Sequence, residues 1–138
     1  MSKQYKVLAI DDEEDNRMLV RAALESDDYL VEIGINGEDG LKKAETFMPD
    51  LIICDMMMPD IDGFEVLKRL RAKDSTFAIP VIMLTGIDSR DKVRQALDSG
   101  IDYYVTKPFE IGDLLAKVET ILKNSPSPTD DNGIPGLF

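Results

Sequence analysis

The chain contains no histidine and a single cysteine, Cys54. That excludes a disulfide framework and any zinc site built from cysteine and histidine. It equally excludes a Ser-His-Asp triad and a histidine general base. Neither G-x-x-x-x-G-K nor G-x-G-x-x-G occurs, so the phosphate-cradling loops of nucleotide binders are missing. No apolar run approaches the roughly 18 residues of a membrane span. The opening MSKQYKVLAI is too weakly apolar for a signal peptide. Positive charge is scarce: Lys and Arg total 16 against 27 acidic residues, a net charge of −11. Such a surface repels phosphate backbones and argues against nucleic acid as a partner of this chain. The expectation is a soluble cytoplasmic protein whose one thiol stays reduced.

What is present fits one domain. The 138 residues are long enough for a core without disulfides, and 43% are hydrophobic. Val7 to Ile10, Leu51 to Cys54 and Val81 to Leu84 are apolar throughout, as strands covered on both faces of a parallel sheet should be. Tyr103 to Val105 is a shorter run. Tyr29 to Ile35 alternates instead, with Tyr29, Val31, Ile33 and Ile35 on one face, and suits a sheet edge.

Helical spacing fills the intervals. The stripes are Leu19, Val20, Ala23 and Leu24; Leu41 and Ala44; Phe64, Leu67 and Leu70; Val93, Ala96 and Leu97; and Leu114, Leu115, Val118, Ile121 and Leu122. Asp62 and Asp88 suit N-caps, and Gly100 a C-cap. Strand and helix thus alternate five times, which implies an α/β fold with a parallel sheet. The proline-rich stretch from Asn124 to Phe138 has no apolar period and reads as a tail or linker, leaving residues 1–123 as the domain.

Ligands of an open parallel sheet bind beyond the carboxyl ends of its strands. The first strand ends at Asp11 and Asp12, the third at Asp55 and the fourth at Thr85; Lys107-Pro108 follows the fifth. Each has a bland explanation. Acidic residues at a strand-to-helix junction commonly cap the helix. An aspartate before a loop is ordinary turn chemistry, a threonine can cap its own loop, and a lysine can be a solvated charge. The joint arrangement is less easily dismissed. Carboxylates packed together resist ionisation unless a cation shares them, and a hard dication such as Mg²⁺ would do so.

The segments VLAIDDEEDNR, DLIICDMMMPDIDGFE, IPVIMLTG and GIDYYVTKPF, in that order and at that spacing, resemble a response-regulator receiver domain from about Lys6 to Lys123. The resemblance implies a flavodoxin-like, doubly wound (βα)5 fold with five parallel strands in the order 2-1-3-4-5. It implies that Asp55 is the phosphoryl acceptor. Asp12, Asp55 and the backbone carbonyl of Met57 would bind Mg²⁺, with Mn²⁺ as a substitute, and Asp11 would act through water or as a weaker ligand. Lys107 and Thr85 would hold phosphoryl oxygens, Pro108 would set the loop through a cis peptide bond, and Thr85 with Tyr104 would form the switch. Met57 and Ile87 would flank the hydrolytic water and tune the lifetime of the phospho-form.

The resemblance further implies a histidine kinase or histidine phosphotransfer protein as donor. Output would pass through the face of the fourth helix, fifth strand and fifth helix, from roughly Ser89 to Lys123, toward a protein target or a second copy upon phosphorylation. Such a chain is not an enzyme beyond catalysing its own phosphorylation and dephosphorylation. An aspartate-nucleophile Mg²⁺ phosphatase is the alternative from another class, but it would place D-x-D after the first strand, where this chain has Asp11-Asp12-Glu13. A flavodoxin-like FMN carrier would need a Ser/Thr/Gly loop there. A receiver that has lost phosphate acceptance does not fit the complete acceptor set. A stand-alone regulator is favoured over a receiver cut from a transcription factor or hybrid kinase, because the numbering opens on methionine and the tail carries no tag. Cys54, adjacent to Asp55 on a strand, should point to the opposite face as a buried structural thiol, and the Met56-Met57-Met58 run reads as packing.

Overall fold

The computed structural model describes residues 4–86, Arg94 and residues 103–124. Five parallel strands and four helices are described: β1 (Lys6–Ile10), α1 (Glu14–Ser26), β2 (Leu30–Gly34), α2 (Gly37–Phe47), β3 (Leu51–Asp55), α3 (Gly63–Arg71), β4 (Val81–Gly86), β5 (Tyr103–Lys107) and α4 (Ile111–Asn124). The strand order is β2-β1-β3-β4-β5. The expected fourth helix, with Val93, Ala96 and Leu97, its cap Asp88 and the following Gly100, lies outside the described residues, as do Ile87 and the tail after Asn124.

The central strands are apolar on both sides because both sides are covered. Val7, Ala9, Leu51, Ile53, Ile82 and Leu84 pack with Val20 and Leu24 of α1 and with Leu114, Val118, Ile121 and Leu122 of α4. Their neighbours in sequence, Leu8, Ile10, Ile52, Cys54, Val81 and Met83, pack with Ala44 of α2 and with Val66, Leu67 and Leu70 of α3. Strand alternation thus feeds two cores from one sheet.

Two of the expected apolar faces need correction. Leu19 does not join the α1 stripe; it is 53% exposed, beside the equally outward Met18. Val20 and Leu24, one turn apart, carry the burial instead. At the β2 edge the strand stops at Gly34, and Ile35 is exposed. There the Ile35 N–H donates to Asp39 Oδ2 at 3.0 Å, turning the chain into α2.

Close backbone approach explains two glycines. A Cβ on Gly40 would lie 2.4 Å from Ile10 Cδ1, so α2 rests directly on β1. A Cβ on Gly63 would lie 2.6 Å from Met83 Sδ and 2.9 Å from Met56 Cα. Gly63 therefore lets α3 begin against the residue that follows Asp55. Asp62 caps that helix, accepting from Glu65 N–H at 2.9 Å.

Candidate functional site

Register brings the strand-end residues together. Ile10 pairs with Cys54, so Asp11 and Asp55, each one residue on, stand level on adjacent strands. Asp55 pairs with Leu84, which places Thr85 one row further along the rim. Lys107 pairs with Gly86, one row beyond Thr85. The backbone ladder alone therefore assembles these residues at one corner.

Asp11, Asp12 and Asp55 each offer a carboxylate oxygen, and the three lie within 4.8 Å of one another. Asp11 and Asp55 are only 4% and 5% exposed; Asp12 is half-buried. Asp11 is not the cap of α1, since Glu13 occupies that position, its side chain accepting from Asn16 Nδ2 at 2.9 Å and making no capping bond to the helix backbone. Its Oδ1 accepts from Glu13 N–H at 2.9 Å, while its carbonyl accepts from Arg17 Nη1 at 2.9 Å. Asp11 Oδ2 remains buried with no hydrogen-bond partner. A buried carboxylate oxygen without a partner carries a desolvation penalty. Lys107 donates from Nζ to Asp55 Oδ1 at 2.7 Å.

Burial pushes the Asp55 carboxyl up; the Lys107 bond and charge oppose this, but Asp11 and Asp12 add to it, and the net direction is upward. Burial pulls Lys107 down, yet the bond to Asp55 and the charges of Asp55, Asp11 and Glu13 raise it overall. Both directions have one cause, a surplus of negative charge around a single amine. The site fits a hard divalent cation on three grounds: three oxygen donors, one without a partner, and uncompensated charge. Asp11, Asp12 and Asp55 are the side chains that could hold it.

Thr85 is 1% exposed, and its hydroxyl donates to Met56 Sδ at 3.4 Å, with the Gly86 carbonyl 3.5 Å away. Tyr104 lies on β5 and is 38% exposed. Met57 is at the rim and 57% exposed. The Lys107-Pro108 peptide is cis. Cys54 is fully buried in the core on the opposite side of the sheet, where burial drives its thiol far above the ordinary range. It is inert packing.

Two residues of the β3-to-α3 loop escape a sequence reading. Asp60 accepts from Gly37 N–H at 3.1 Å through Oδ1 and from Glu38 N–H at 2.9 Å through Oδ2. It thereby caps α2 from the loop that follows Asp55. Met56 holds the Thr85 hydroxyl. For Asp60 the signal was present, since an aspartate after Met-Pro in DMMMPDIDG is a helix-capping residue type; only the partner helix was not readable.

An open parallel sheet in the order 2-1-3-4-5, with an acidic, lysine-bearing carboxyl rim, is a flavodoxin-like arrangement. The chain belongs to the response regulator receiver domain family, which matches residues 7–119. Among similar proteins is the alkaline phosphatase synthesis transcriptional regulatory protein PhoP of Bacillus subtilis, 46% identical over 121 residues, or 87% of this chain and 49% of PhoP. The DNA-binding dual master transcriptional regulator RpaA of Synechocystis is 41% identical over 121 residues, covering 87% of this chain and 50% of RpaA. The chain thus spans about half the length of these curated relatives. The solved structure of chemotaxis protein CheY4 of Vibrio cholerae superposes with a TM-score of 0.82 at 33% identity, covering 87% of this chain and all of that one. This is a receiver domain of two-component response regulators. Among the described residues no helix is long and apolar enough to cross a membrane.

Proposed function

We propose that the chain receives a phosphoryl group on Asp55 from a phosphohistidine of a histidine kinase or histidine phosphotransfer protein, and passes the signal on by protein contact. The observation that carries this reading is the grouping of Asp11, Asp12 and Asp55 within 4.8 Å, with Lys107 on Asp55 at 2.7 Å. In the transfer, an Asp55 oxygen attacks phosphorus and forms an O–P bond. The donor's N–P bond breaks, its electron pair stays on the imidazole nitrogen, and solvent supplies the proton. Lys107 releases the Asp55 oxygen and pairs with a phosphoryl oxygen; the Thr85 hydroxyl donates to another. Mg²⁺, or Mn²⁺ in its place, held by Asp12, Asp55 and the Met57 carbonyl with Asp11 behind water, would supply positive charge beside those oxygens.

The phosphorylated form biases a two-state equilibrium in which Thr85 and Tyr104 move together. The changed face runs from roughly Ser89 to Lys123, and a target protein or a second copy of the chain binds there. The chain turns over no substrate other than its own aspartyl phosphate. Asp55→Asn tests the assignment: it keeps the shape and loses the nucleophilic charge. Radiolabelling by acetyl phosphate with Mg²⁺ should fall to background, and undiminished labelling would place the acceptor elsewhere.

A further inference from the structure

We propose that Met56 is a positioning residue for the switch: its thioether holds the Thr85 hydroxyl in the resting state and so sets how readily the phosphorylated state forms. The inference rests on the reading of Thr85 as a ligand of the phosphoryl group. A threonine hydroxyl carries one hydrogen. Two acceptors lie within reach of that hydrogen, Met56 Sδ at 3.4 Å and the Gly86 carbonyl at the longer distance of 3.5 Å. Both side chains are almost wholly buried, so solvent offers the hydroxyl no alternative. Bonding to a phosphoryl oxygen therefore means leaving the sulfur.

The backbone that carries the sulfur is fixed. Met56 N–H donates to the Leu84 carbonyl at 2.9 Å, and its own carbonyl accepts from Gly63 N–H at 2.8 Å. Gly63 leaves no room on the remaining side, where even a Cβ would come 2.9 Å from Met56 Cα. A thioether is a weak acceptor, so this chain holds its resting threonine loosely. A hydrocarbon at position 56 would not hold it at all. The resting state would then carry a buried hydroxyl left with the more distant Gly86 carbonyl, while the phosphorylated state would be unaffected.

The test is Met56→Leu, a volume-conserving exchange, made in the parent and in a Thr85→Val background. Beryllofluoride, a phosphoryl mimic, is titrated at fixed millimolar Mg²⁺, and the midpoint is read from amide chemical shifts of β4 and β5. Met56→Leu should lower the midpoint about twofold to tenfold, the range one hydrogen bond covers. The same exchange in Thr85→Val should change nothing. An unshifted midpoint in the parent background overturns the proposal. So does an equal shift in both backgrounds, which would be packing alone. If Thr85→Val by itself leaves the midpoint unmoved, the role of Thr85 as phosphoryl ligand fails, and the role of Met56 falls with it.

Discussion

Lys107 Nζ stands 2.7 Å from Asp55 Oδ1, yet the same amine also feels Asp11 and Glu13. One cation therefore answers several carboxylates. On the proposed function, the pair is a placeholder that a phosphoryl group and a dication would displace. Its imbalance makes the resting site unfavourable to the fold in a way that can be measured.

Asp55 has its pKa raised by burial and by Asp11 and Asp12, against the pull of Lys107. A carboxyl raised in the folded state contributes most below its ordinary value of 3.8. That contribution is lost as pH rises through the raised value, so at neutral pH ionised Asp55 costs stability. Metal-free Asp55→Asn should melt higher than the parent at pH 7, and the gap should close near pH 3. In the parent, Mg²⁺ at a hundredfold excess over its Kd should stabilise by about 2.7 kcal/mol, and Asp12→Ala should lose most of that gain. Calorimetry with and without Mg²⁺ reads both. A parent whose Tm ignores millimolar Mg²⁺ would rule out the carboxylate trio as a metal site.

Asp60 should act as a remote helix cap. Burial opposes its ionisation, but the N–H groups of Glu38, Ile61 and Gly37 outweigh that and lower its pKa. A lowered carboxyl contributes above its ordinary value and loses that contribution as pH falls through the depressed one. Asp60→Ala should destabilise by about 0.5–2 kcal/mol at pH 7, toward the lower end for so exposed a side chain. The penalty should shrink in strong acid. Denaturant melts at pH 7 and at pH 3 check it, and an equal penalty at both would mean the carboxylate charge is not what caps α2.

The corner of the fold that carries the site was legible because it depends on short-range rules. Apolar runs mark buried strands, and the residue ending each run must lie at the rim; Asp11, Asp55 and Thr85 follow from that alone. Errors arose where one residue's facing decides. Leu19 adjoins Val20, but neighbours on a helix point about 100° apart, and only the Val20–Leu24 line meets the sheet. The contacts of Thr85 with Met56 and of Asp60 with α2 were not legible at all. They join residues 29 and 22 or 23 positions apart, and hydrophobic periodicity carries no information on where a loop side chain lands.

Tyr104 offers a direct readout of the switch. Its side chain is 38% exposed, and an inward turn that lowers this exposure should accompany the move of Thr85 toward the phosphoryl group. Nitration of Tyr104 by tetranitromethane, followed by mass spectrometry, should slow severalfold when beryllofluoride and Mg²⁺ are added. Thr85→Val should weaken that protection. Tyr103, the adjacent β5 ring, serves as the internal control. Equal slowing at both tyrosines would indicate general tightening of the strand instead of a rotating ring.

The lifetime of the phospho-form should depend on Met57 and Ile87, the two positions that the resemblance to receiver domains assigns to the path of water to Asp55. Hydrolysis needs a water aligned opposite the Asp55 oxygen, and a polar neighbour can orient it by a hydrogen bond. Met57 is exposed at the rim, two residues beyond Asp55, and a thioether orients water poorly. Ile87, two residues beyond Thr85, has only carbon to offer. Each polar group supplied at these positions is worth roughly tenfold in rate, or about 1.4 kcal/mol of barrier. The parent should therefore hold its phosphoryl group comparatively long. Met57→Asn combined with Ile87→Glu should speed the decay of phospho-Asp55 by one to two orders of magnitude, followed after removal of excess acetyl phosphate. Asp55 and Lys107 are untouched in that variant, so its labelling should remain Mg²⁺-dependent. Decay no faster than in the parent would show that access of water to Asp55 is governed by other groups.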